Sequence, residues 1–327
     1  MKVLVTGANG FLANNVIREL NKRSVAVRAL VRPAANIHPL ADLNAEIFRG
    51  DFTNRESADS AVDGCDAVMH LAADTSQNYS ANNFNLECNV NGTRNLIESS
   101  VQHKIRRFIY VSTANAFAHG TMETPGDECS PFRYPFTESG YAVSKLRAQE
   151  LVLSYSTGNQ TDIIVLNPTF MIGPHDYKPG SGRIITMMYK RRIIPVPPGG
   201  KNFIHVKDAA VALCNALTMG HTGNCYLLAN ENLSYLDFYK KMAAIAGKKY
   251  SFLKLNSMLL SMAGTLGDTL RRVSIKTDIN SFNLRILCEG NYFINSKAVR
   301  ELELPCTSID EAIADALEWF GKNGYLD

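Results

Sequence analysis

The sequence predicts an α/β protein in which a doubly wound parallel sheet is covered by helices on both faces. Two observations lead to this fold class. Short apolar runs alternate with helical stretches through the first half of the chain. The runs are also apolar along their whole length, as expected for strands of a parallel sheet, which are buried on both faces.

The elements of the first half follow one another closely. Six strands are predicted, at 2–7, 25–31, 45–51, 66–73, 106–113 and 161–168. Helices are predicted at 14–23, 89–103 and 141–156. A loop rich in proline and alanine follows the second strand. After Pro168 the regular alternation of strands and helices ends.

Glycine and proline crowd the segments 172–183 and 193–200, and both are predicted to be loops. A strand at 224–229 is predicted to return to the sheet. The remainder reads as a smaller, mainly helical C-terminal portion that ends in a helix at 308–324. Its most apolar segment, 257–267, is shorter than the roughly 20 residues of a membrane span, so we expect a buried or interface helix.

Composition narrows the class of protein. With 327 residues, 46% hydrophobic and 20% charged, the chain fits one large or two intimate globular domains. The net charge of +3 indicates neither a nucleic-acid partner nor a membrane surface. The seven cysteines are scattered without a C-x-x-C pair, which is typical of free thiols. The first residues enter a strand directly, so we expect no signal peptide and a soluble, cytoplasmic protein.

A glycine pair separates the first strand from the first helix. Gly7 and Gly10 form the pattern Gly-x-x-Gly-x-x-Ala, with Ala13 where a third glycine often stands. At this place a backbone must turn tightly and approach a pyrophosphate, whose charge rests on helix N-terminal amides. Glycines also mark plain turns, but the position within a βαβ unit favours a dinucleotide site.

The end of the second strand indicates which dinucleotide binds. NAD sites usually hold the ribose 2′-hydroxyl with a carboxylate there, yet no acidic residue lies between Glu19 and Asp42. Instead the strand ends in Arg32, with Arg28 on the same side, and a guanidinium suits a 2′-phosphate. The other interpretation is that both arginines are solvated charges. We therefore predict a preference for NADP(H), with NAD(H) possible.

Two further segments are candidates for cofactor contact. Asp51 follows the third strand and could accept a hydrogen bond from the adenine amino group. Ala72 and Ala73 end the fourth predicted strand, and their small side chains allow a cofactor to pass closely. The alternatives are an ordinary turn aspartate and two helix-start alanines.

Eight motifs stand in the order typical of one known family: TGANGFLA, GDFTN, HLAA, NVNGT, RFIYVST, YAVSK, NPTFMIGP and FIHVKDAA. Over roughly residues 2–210 the chain thus resembles the extended short-chain dehydrogenase/reductases, the NAD-dependent epimerase/dehydratase family. Within it the chain most resembles the dihydroflavonol-reductase-like branch, through VRALVRP and NPTFMIGPHDYKPGSGR. The resemblance implies a Rossmann fold.

The resemblance also implies a domain division and a set of cofactor contacts. Residues 1–167 would form the dinucleotide-binding domain, with 203–230 returning to it, and 168–202 and 231–327 would form the substrate-binding portion. The expected cofactor contacts are Gly7, Asn9, Gly10, Phe11, Leu12, Arg32, Asp51, Phe52, Leu71, Ala72, Ala73, Asn89, Tyr141, Lys145, Pro168 and Thr169. Asn89 could equally be a helix N-cap, and Pro168 with Thr169 could be a simple strand-end turn.

The catalytic set implied by the family is Tyr141, Lys145 and Thr113. Hydride transfer to a ketone leaves an alkoxide that needs a proton, and Tyr141 would donate it, or act in reverse as a base. Lys145, one helical turn away, would favour the phenolate and hold the nicotinamide ribose. Thr113 would polarise the substrate oxygen, with Ser112 as the neighbouring alternative because only one of the two can face the site.

The substrate half is less informative. Three aromatic residues, Phe132, Tyr134 and Phe136, could wall a substrate or cover the core. The basic residues Arg183, Lys190, Arg191 and Arg192 could clamp a diphosphate or form a solvated helix face. The histidines His70, His119, His175 and His205 lack the spacing of metal ligands, so no metal site is predicted.

Three functions compete at this point. The leading one is an NADP(H)-dependent oxidoreductase that interconverts a carbonyl and a secondary alcohol on a small organic substrate. The second is a nucleoside-diphosphate-sugar epimerase or dehydratase with tightly held NAD. The third is a nucleotide-binding regulator, which the presence of both Tyr141 and Lys145 disfavours. By resemblance alone we expect a homodimer, formed through the helices that begin near Asn89 and Tyr141.

Overall fold

A computed structural model describes residues 1–75, 86–272, 277 and 279–327. Its strands are β1 (Lys2–Thr6), β2 (Ala26–Val31), β3 (Glu46–Arg49), β4 (Ala67–His70), β5 (Arg107–Val111), β6 (Asp162–Pro168), β7 (Phe170–Ile172), β8 (Ile193–Val196), β9 (Gly200–His205), β10 (Asn224–Leu228), β11 (Glu231–Ser234), β12 (Ser251–Lys254) and β13 (Gly290–Asn291). Its α-helices are α1 (Phe11–Lys22), α2 (Arg55–Val62), α3 (Gly92–Gln102), α4 (Gly140–Leu153), α5 (Arg183–Tyr189), α6 (Val206–Asn215), α7 (Tyr235–Ile245), α8 (Ser257–Arg272), α9 (Ser281–Cys288), α10 (Ser296–Leu302) and α11 (Ile309–Lys322).

Seven of the strands form one parallel sheet in the order β3-β2-β1-β4-β5-β6-β10. The order reverses between β1 and β4, and in sheets of this kind ligands bind in the crevice at the carboxyl ends of the strands beside that point. The predicted doubly wound fold is confirmed. The predicted return of 224–229 to the sheet is confirmed as well, since β10 pairs with β6.

Each face of the sheet carries its own apolar core. On one face Val3 and Val5 of β1 pack with Val16 of α1 and Leu213 of α6. On the other face Leu4 packs in a second cluster together with buried residues of α2, α3 and α4. Alternate residues of one strand point to opposite faces of the sheet. Because each face is covered by a core, the residues on both faces must be apolar. This is the physical reason for the continuous apolar runs in the sequence.

A second, smaller body follows β6. A four-stranded sheet has the order β11-β9-β13, with β7 paired to β9. Its core includes Phe203, Phe238, Ile313 and Phe320, contributed by β9, α7 and α11. The C-terminal portion is thus helical with a small sheet of its own. The predicted domain division remains a prediction: α6 packs in the core with α1, while β9 pairs in the small sheet.

One local prediction was wrong. The segment 193–200 is not all loop, because β8 at its start pairs with β12. Ile194 and Val196 are buried there, so tertiary burial overrides the turn propensity of the prolines. The segment 257–267 forms a helix, α8, as predicted, and one of its faces is exposed: Met258, Leu259, Met262 and Leu266 are each at least 60% exposed. Its place at an interface stays a prediction. Among the described residues, no helix has the length and apolarity needed to cross a bilayer.

Candidate active site

The turn between β1 and α1 has the geometry of an anion site. Gly7 has φ of +64°, and a Cβ on it would lie 2.9 Å from the Cα of Ala72. Gly10 precedes α1 and offers no side-chain cap, and the first turn of the helix contains no acidic residue. The helix therefore presents open amides and the positive end of its dipole. These residues fit a dinucleotide pyrophosphate.

The two arginines of β2 have different environments. Arg28 Nε lies 3.0 Å from Glu46 Oε1, and its Nη1 donates to the carbonyls of Ala61 and Asp63 at 3.0 and 2.6 Å. The interpretation of Arg28 as a solvated or phosphate-binding charge is therefore wrong, since it ties β2 to its neighbours. Arg32, at the carboxyl end of β2, is exposed. It is the guanidinium of this strand that could hold a 2′-phosphate.

The loop after Arg32 is fixed to the glycine turn and to β3. Asn9 donates to the carbonyl of Asn36 at 3.1 Å. Arg49 donates to the carbonyl of Pro33 at 2.7 Å. These two bonds place the loop, and with it Arg32, beside the start of α1.

The segment after β3 is a structured turn. Asp51 Oδ1 accepts from the backbone and the hydroxyl of Thr53, at 3.0 and 2.8 Å. Asp51 thus has the bonds of a turn aspartate, and any contact with an adenine would use its other oxygen. Phe52 is 7% exposed and lies against His70, with ring centroids 5.2 Å apart.

A buried hydrogen-bond relay connects the ends of β1 and β4. Thr6 Oγ1 accepts from the amides of Leu71 and Ala72 at 3.1 and 3.0 Å, so it donates its proton to His70 Nδ1 at 2.8 Å. His70 Nε2 then donates to Thr93 Oγ1 at 2.9 Å. Burial, and to a lesser extent the charge of Lys145, holds the pKa of His70 well below its usual value. The neutral imidazole thus positions Leu71 and Ala72 under the glycine turn.

Asn89 extends these contacts to the catalytic helix. Its carboxamide bonds the backbone N–H and C=O of Asp74, at 2.8 and 3.0 Å, and donates to Ser144 Oγ at 3.0 Å. Ser144 in turn donates to the carbonyl of Tyr141 at 2.8 Å. Asn89 is therefore not a helix N-cap, which was the alternative from sequence, but a link between the β4 segment and α4.

Tyr141 stands in the first turn of α4 beside the end of β5. Ser139 caps this helix, accepting from the amide of Ala142 at 3.2 Å. Burial raises the pKa of Tyr141 to about 12, and a hydrogen bond with the Thr113 side chain opposes the rise. Ser112 Oγ, by contrast, is buried and has no hydrogen-bond partner within the described part of the chain. Of the two hydroxyls that sequence left open, Thr113 is the one that meets Tyr141.

Lys145 lies one turn further along α4, 2% exposed. Its Nζ donates to the carbonyl of Val111 at 2.7 Å and lies 4.2 Å from the centroid of the Tyr110 ring. Burial lowers the pKa of Lys145 to about 7. Burial is the largest cause of the pKa shift at both residues, and the expectation that Lys145 favours a Tyr141 phenolate stays a prediction for the enzyme with bound nicotinamide. In this state the site holds a neutral phenol, which can donate a proton.

A cavity of about 90 Å³ opens beside Thr113. Its lining residues are Thr113, Ala114, Asn115, Pro168, Thr169, Phe170, Lys201, Asn202, Asn291 and Phe293. Three of the predicted site residues, Thr113, Pro168 and Thr169, thus meet at one wall. The described residues of this lining include no carboxylate.

Lys201, Asn202 and Asn291 of this lining were not found from the sequence. Lys201 and Asn202 follow a glycine pair at the start of β9, which reads as a turn. Asn291 belongs to a strand of two residues, too short to produce a periodic signal. The available indication was the polar pair Lys201 and Asn202 directly before the apolar Phe203 and Ile204 of β9.

The other substrate-binding candidates lie elsewhere. The side chains of Arg183, Lys190, Arg191 and Arg192 are exposed, and none of them lines the cavity. Phe136 is 4% exposed in a small core with Phe282, while Tyr134 is 45% exposed. The solvated-face interpretation fits the four basic residues, and the core-cover interpretation fits Phe136. Their roles toward a substrate stay predictions. Within the described residues, no group of histidines, cysteines or carboxylates is arranged to hold a metal.

Comparison with known proteins identifies the family. The chain matches the NAD dependent epimerase/dehydratase family over residues 3–229. It is 30% identical to a protein of Synechocystis sp. provisionally named dihydroflavonol 4-reductase, across 98% of this chain and 95% of that protein. It is 26% identical to a dTDP-glucose 4,6-dehydratase of Streptomyces niveus, across 99% and 94% of the two chains. The crystal structure of gox2253 superposes with a TM-score of 0.87 at 29% identity, covering 99% of both chains.

The predicted family is thereby confirmed, and it agrees with the geometry. The glycine turn, the uncapped helix and the Thr113–Tyr141–Lys145 set stand together at the carboxyl edge of the sheet. The chain belongs to the NAD-dependent epimerase/dehydratase family and is an NAD(P)-dependent enzyme of the extended short-chain dehydrogenase/reductase type.

Proposed function

We propose that the protein is an NADP(H)-dependent oxidoreductase that interconverts a carbonyl and a secondary alcohol on a small organic substrate. The observation that carries the proposal is the position of Thr113, which lines the cavity and whose side chain interacts with that of Tyr141. A carbonyl oxygen placed there meets two hydroxyls. One polarises it, and the other supplies the proton.

The cofactor supplies or accepts the hydride when it is bound. Thr113 holds the substrate oxygen, and Tyr141 keeps its proton at neutral pH because burial raises its pKa to about 12. Lys145 fixes the end of β5 through the Val111 carbonyl and offers its remaining donors to the cofactor ribose. The glycine turn and the start of α1 hold the pyrophosphate. Pro168 and Thr169 lie where the nicotinamide amide would bind.

Preference for NADP(H) over NAD(H) is part of the proposal. Arg32 is exposed at the end of β2, and the second strand ends without a carboxylate to accept from a ribose 2′-hydroxyl. A guanidinium beside that position binds a 2′-phosphate through charge-assisted hydrogen bonds, whereas it stabilises a neutral 2′-hydroxyl only weakly.

The alternative function is an epimerase or dehydratase of nucleoside-diphosphate sugars with tightly held NAD. The relative from Streptomyces niveus carries a dehydratase name, and the same three catalytic residues would serve. Dehydration also needs an acid/base pair beside them, however, and the residues after Thr113 are Ala114 and Asn115. The described cavity wall contains no carboxylate for that role. The exposed basic residues of α5 and its C-terminal end stand away from the cavity.

The test is a parallel titration of NADPH and NADH into protein first analysed for co-purified nucleotide and then stripped of it. We expect NADPH to bind at least 10-fold more tightly than NADH. Arg32→Ala should weaken NADPH binding roughly 10- to 100-fold, because a charge-assisted hydrogen bond contributes about 1.5–3 kcal/mol. Arg192→Ala, an exposed arginine of the C-terminal portion, is the matched control. Equal affinity for both nucleotides, or NAD retained through purification, would contradict the proposal and favour the epimerase.

Catalysis is tested with Tyr141→Phe. Reduction of any carbonyl compound that the wild type accepts should fall by at least about 100-fold in this variant, while NADPH binding stays intact. Unchanged turnover would exclude the proposed proton donor.

We further propose that the protein is cytoplasmic and forms a homodimer through α3 and α4. Size measurement in solution tests the dimer, and a monomer at micromolar concentration would exclude it.

A further inference from the structure

The strands β13 and β9 bring two polar side chains to the same side of the cavity. In their parallel pairing Asn291 is the direct partner of Lys201. Paired residues of neighbouring strands project to the same face of a sheet. Both Asn291 and Lys201 line the cavity next to Thr113.

Asn291 is a buried amide without protein partners. It is 5% exposed, and within the described structure neither its Nδ2 nor its Oδ1 has a hydrogen-bond partner. The side chain of Asn202, by contrast, is fully hydrogen-bonded. Its Oδ1 accepts from the Thr169 hydroxyl and the Asn230 backbone amide, and its Nδ2 donates to Asn232 Oδ1. A buried polar group left unsatisfied costs about 1–3 kcal/mol, so a side chain with two such atoms at a cavity wall indicates a ligand.

Lys201 is a cation without a carboxylate partner in the described part of the chain. Its Nζ lies 5.4 Å from the centroid of the Phe170 ring. The nearest acidic residue along β13, Glu289, is already bound to His119 at 3.0 Å. Burial alone lowers the pKa of Lys201 to about 8, which leaves the ammonium mostly charged at neutral pH. A desolvated charge of this kind is stabilised when an anion joins it.

We propose that Lys201 and Asn291 bind a carboxylate of the substrate, so that the enzyme acts on short keto or hydroxy acids. The inference rests on the proposed function, since it places this carboxylate opposite the carbonyl held by Thr113. A single ammonium and one amide donor suit a group of one negative charge. The amide oxygen of Asn291 remains free to accept from a hydroxyl of the same substrate. The apolar rings of Phe170 and Phe293 enclose the carbon chain between the two polar ends.

The experiment measures binding without turnover. Three keto acids, 2-oxobutanoate, acetoacetate and levulinate, are titrated by ligand-observed NMR beside their neutral methyl esters, with saturating NADP⁺, which has no hydride to transfer to a ketone. We expect at least one acid to bind at least 10-fold more tightly than its ester. Lys201→Met and Asn291→Leu should each remove this preference, because hydrogen bonds to charged groups contribute about 1.5–3 kcal/mol. Lys240→Met, which replaces an exposed lysine, should retain it.

Three results would overturn the inference: acids that bind no better than their esters, a preference that survives in both variants, or inorganic phosphate that displaces every acid. The last would assign the site to a phosphate ester. Urea unfolding of each variant shows that it is folded. If Lys201→Met does not fold, Asn291→Leu carries the test.

The same samples, with NADPH in place of NADP⁺, separate this inference from the proposed function. NADPH binding without acid binding would overturn the carboxylate site alone. Acid binding without reduction of any acid would overturn the reductase alone.

Discussion

Lys145 holds an ammonium group inside the protein, and its replacement should change stability in a pH-dependent way. The side chain is 2% exposed, and burial lowers its pKa from 10.5 to about 7. At roughly 1.4 kcal/mol per pKa unit, this shift corresponds to about 5 kcal/mol of destabilisation while the folded protein must carry the charge. Lys145→Met removes that penalty.

The gain is offset by lost contacts. The carbonyl of Val111 loses its donor, which costs about 1–3 kcal/mol. The contact with the Tyr110 ring is worth up to about 2 kcal/mol. Lys145→Met should therefore be more stable than the wild type by up to roughly 4 kcal/mol near pH 7, and catalytically inactive.

The sign of the pH dependence follows from proton binding. Between pH about 7 and about 10.5 the unfolded chain holds a proton on Lys145 and the folded protein does not. Wild-type stability therefore rises with pH across this window relative to the variant. The penalty is fully present below pH 7, where both states are protonated. The advantage of Lys145→Met should thus shrink by roughly 1.4 kcal/mol per pH unit above pH 7.

Urea unfolding of both proteins at pH about 6.5, about 8 and about 9.5 measures this difference, because other titrating groups cancel between them. Lys240→Met, at an exposed lysine, should show a constant small difference. A stability difference between Lys145→Met and wild type that does not change with pH would refute the reasoning.

Three other substitutions test the site. Gly7→Ala should lower the free energy of unfolding by about 1–2 kcal/mol, because Gly7 has a left-handed backbone, and crowding against Ala72 adds to this cost. It should also weaken NADPH binding. Unchanged stability in urea and unchanged NADPH affinity would contradict the close approach of Gly7 to Ala72. Thr113→Ala should lower kcat by about 100- to 1,000-fold while Ser112→Ala leaves it nearly unchanged, and the reverse order would mean that the wrong hydroxyl was assigned. His70→Leu removes the buried acceptor of the Thr6 hydroxyl and the buried donor to the Thr93 hydroxyl, and should cost about 2–5 kcal/mol in urea unfolding. Because the folded protein keeps His70 neutral, wild-type stability should also fall below pH 6.5 more steeply than that of His70→Leu.

Local patterns in the sequence determined the fold class and much of the site. The apolar runs predict strands buried on both faces, because the residues that point to either face of such a strand must be apolar. Gly7 and Gly10 predict the turn at the start of α1, and the four-residue spacing of Tyr141 and Lys145 predicts their place on one helix. These signals are contiguous in the chain, so they can be read without knowledge of the tertiary structure.

Other features depend on partners that are distant in sequence, and only the tertiary structure decided them. Arg28 is not a candidate for binding the 2′-phosphate, because the pairing of β2 with β3 places its guanidinium beside Glu46. Burial raises the pKa of Tyr141 and lowers that of Lys145, which their spacing alone does not show. The pairing of β9 with β13 brings Lys201 to Asn291, two residues that no local motif connects. Burial, charge pairing and strand register arise from the packing of separate segments, and so they are properties of the fold.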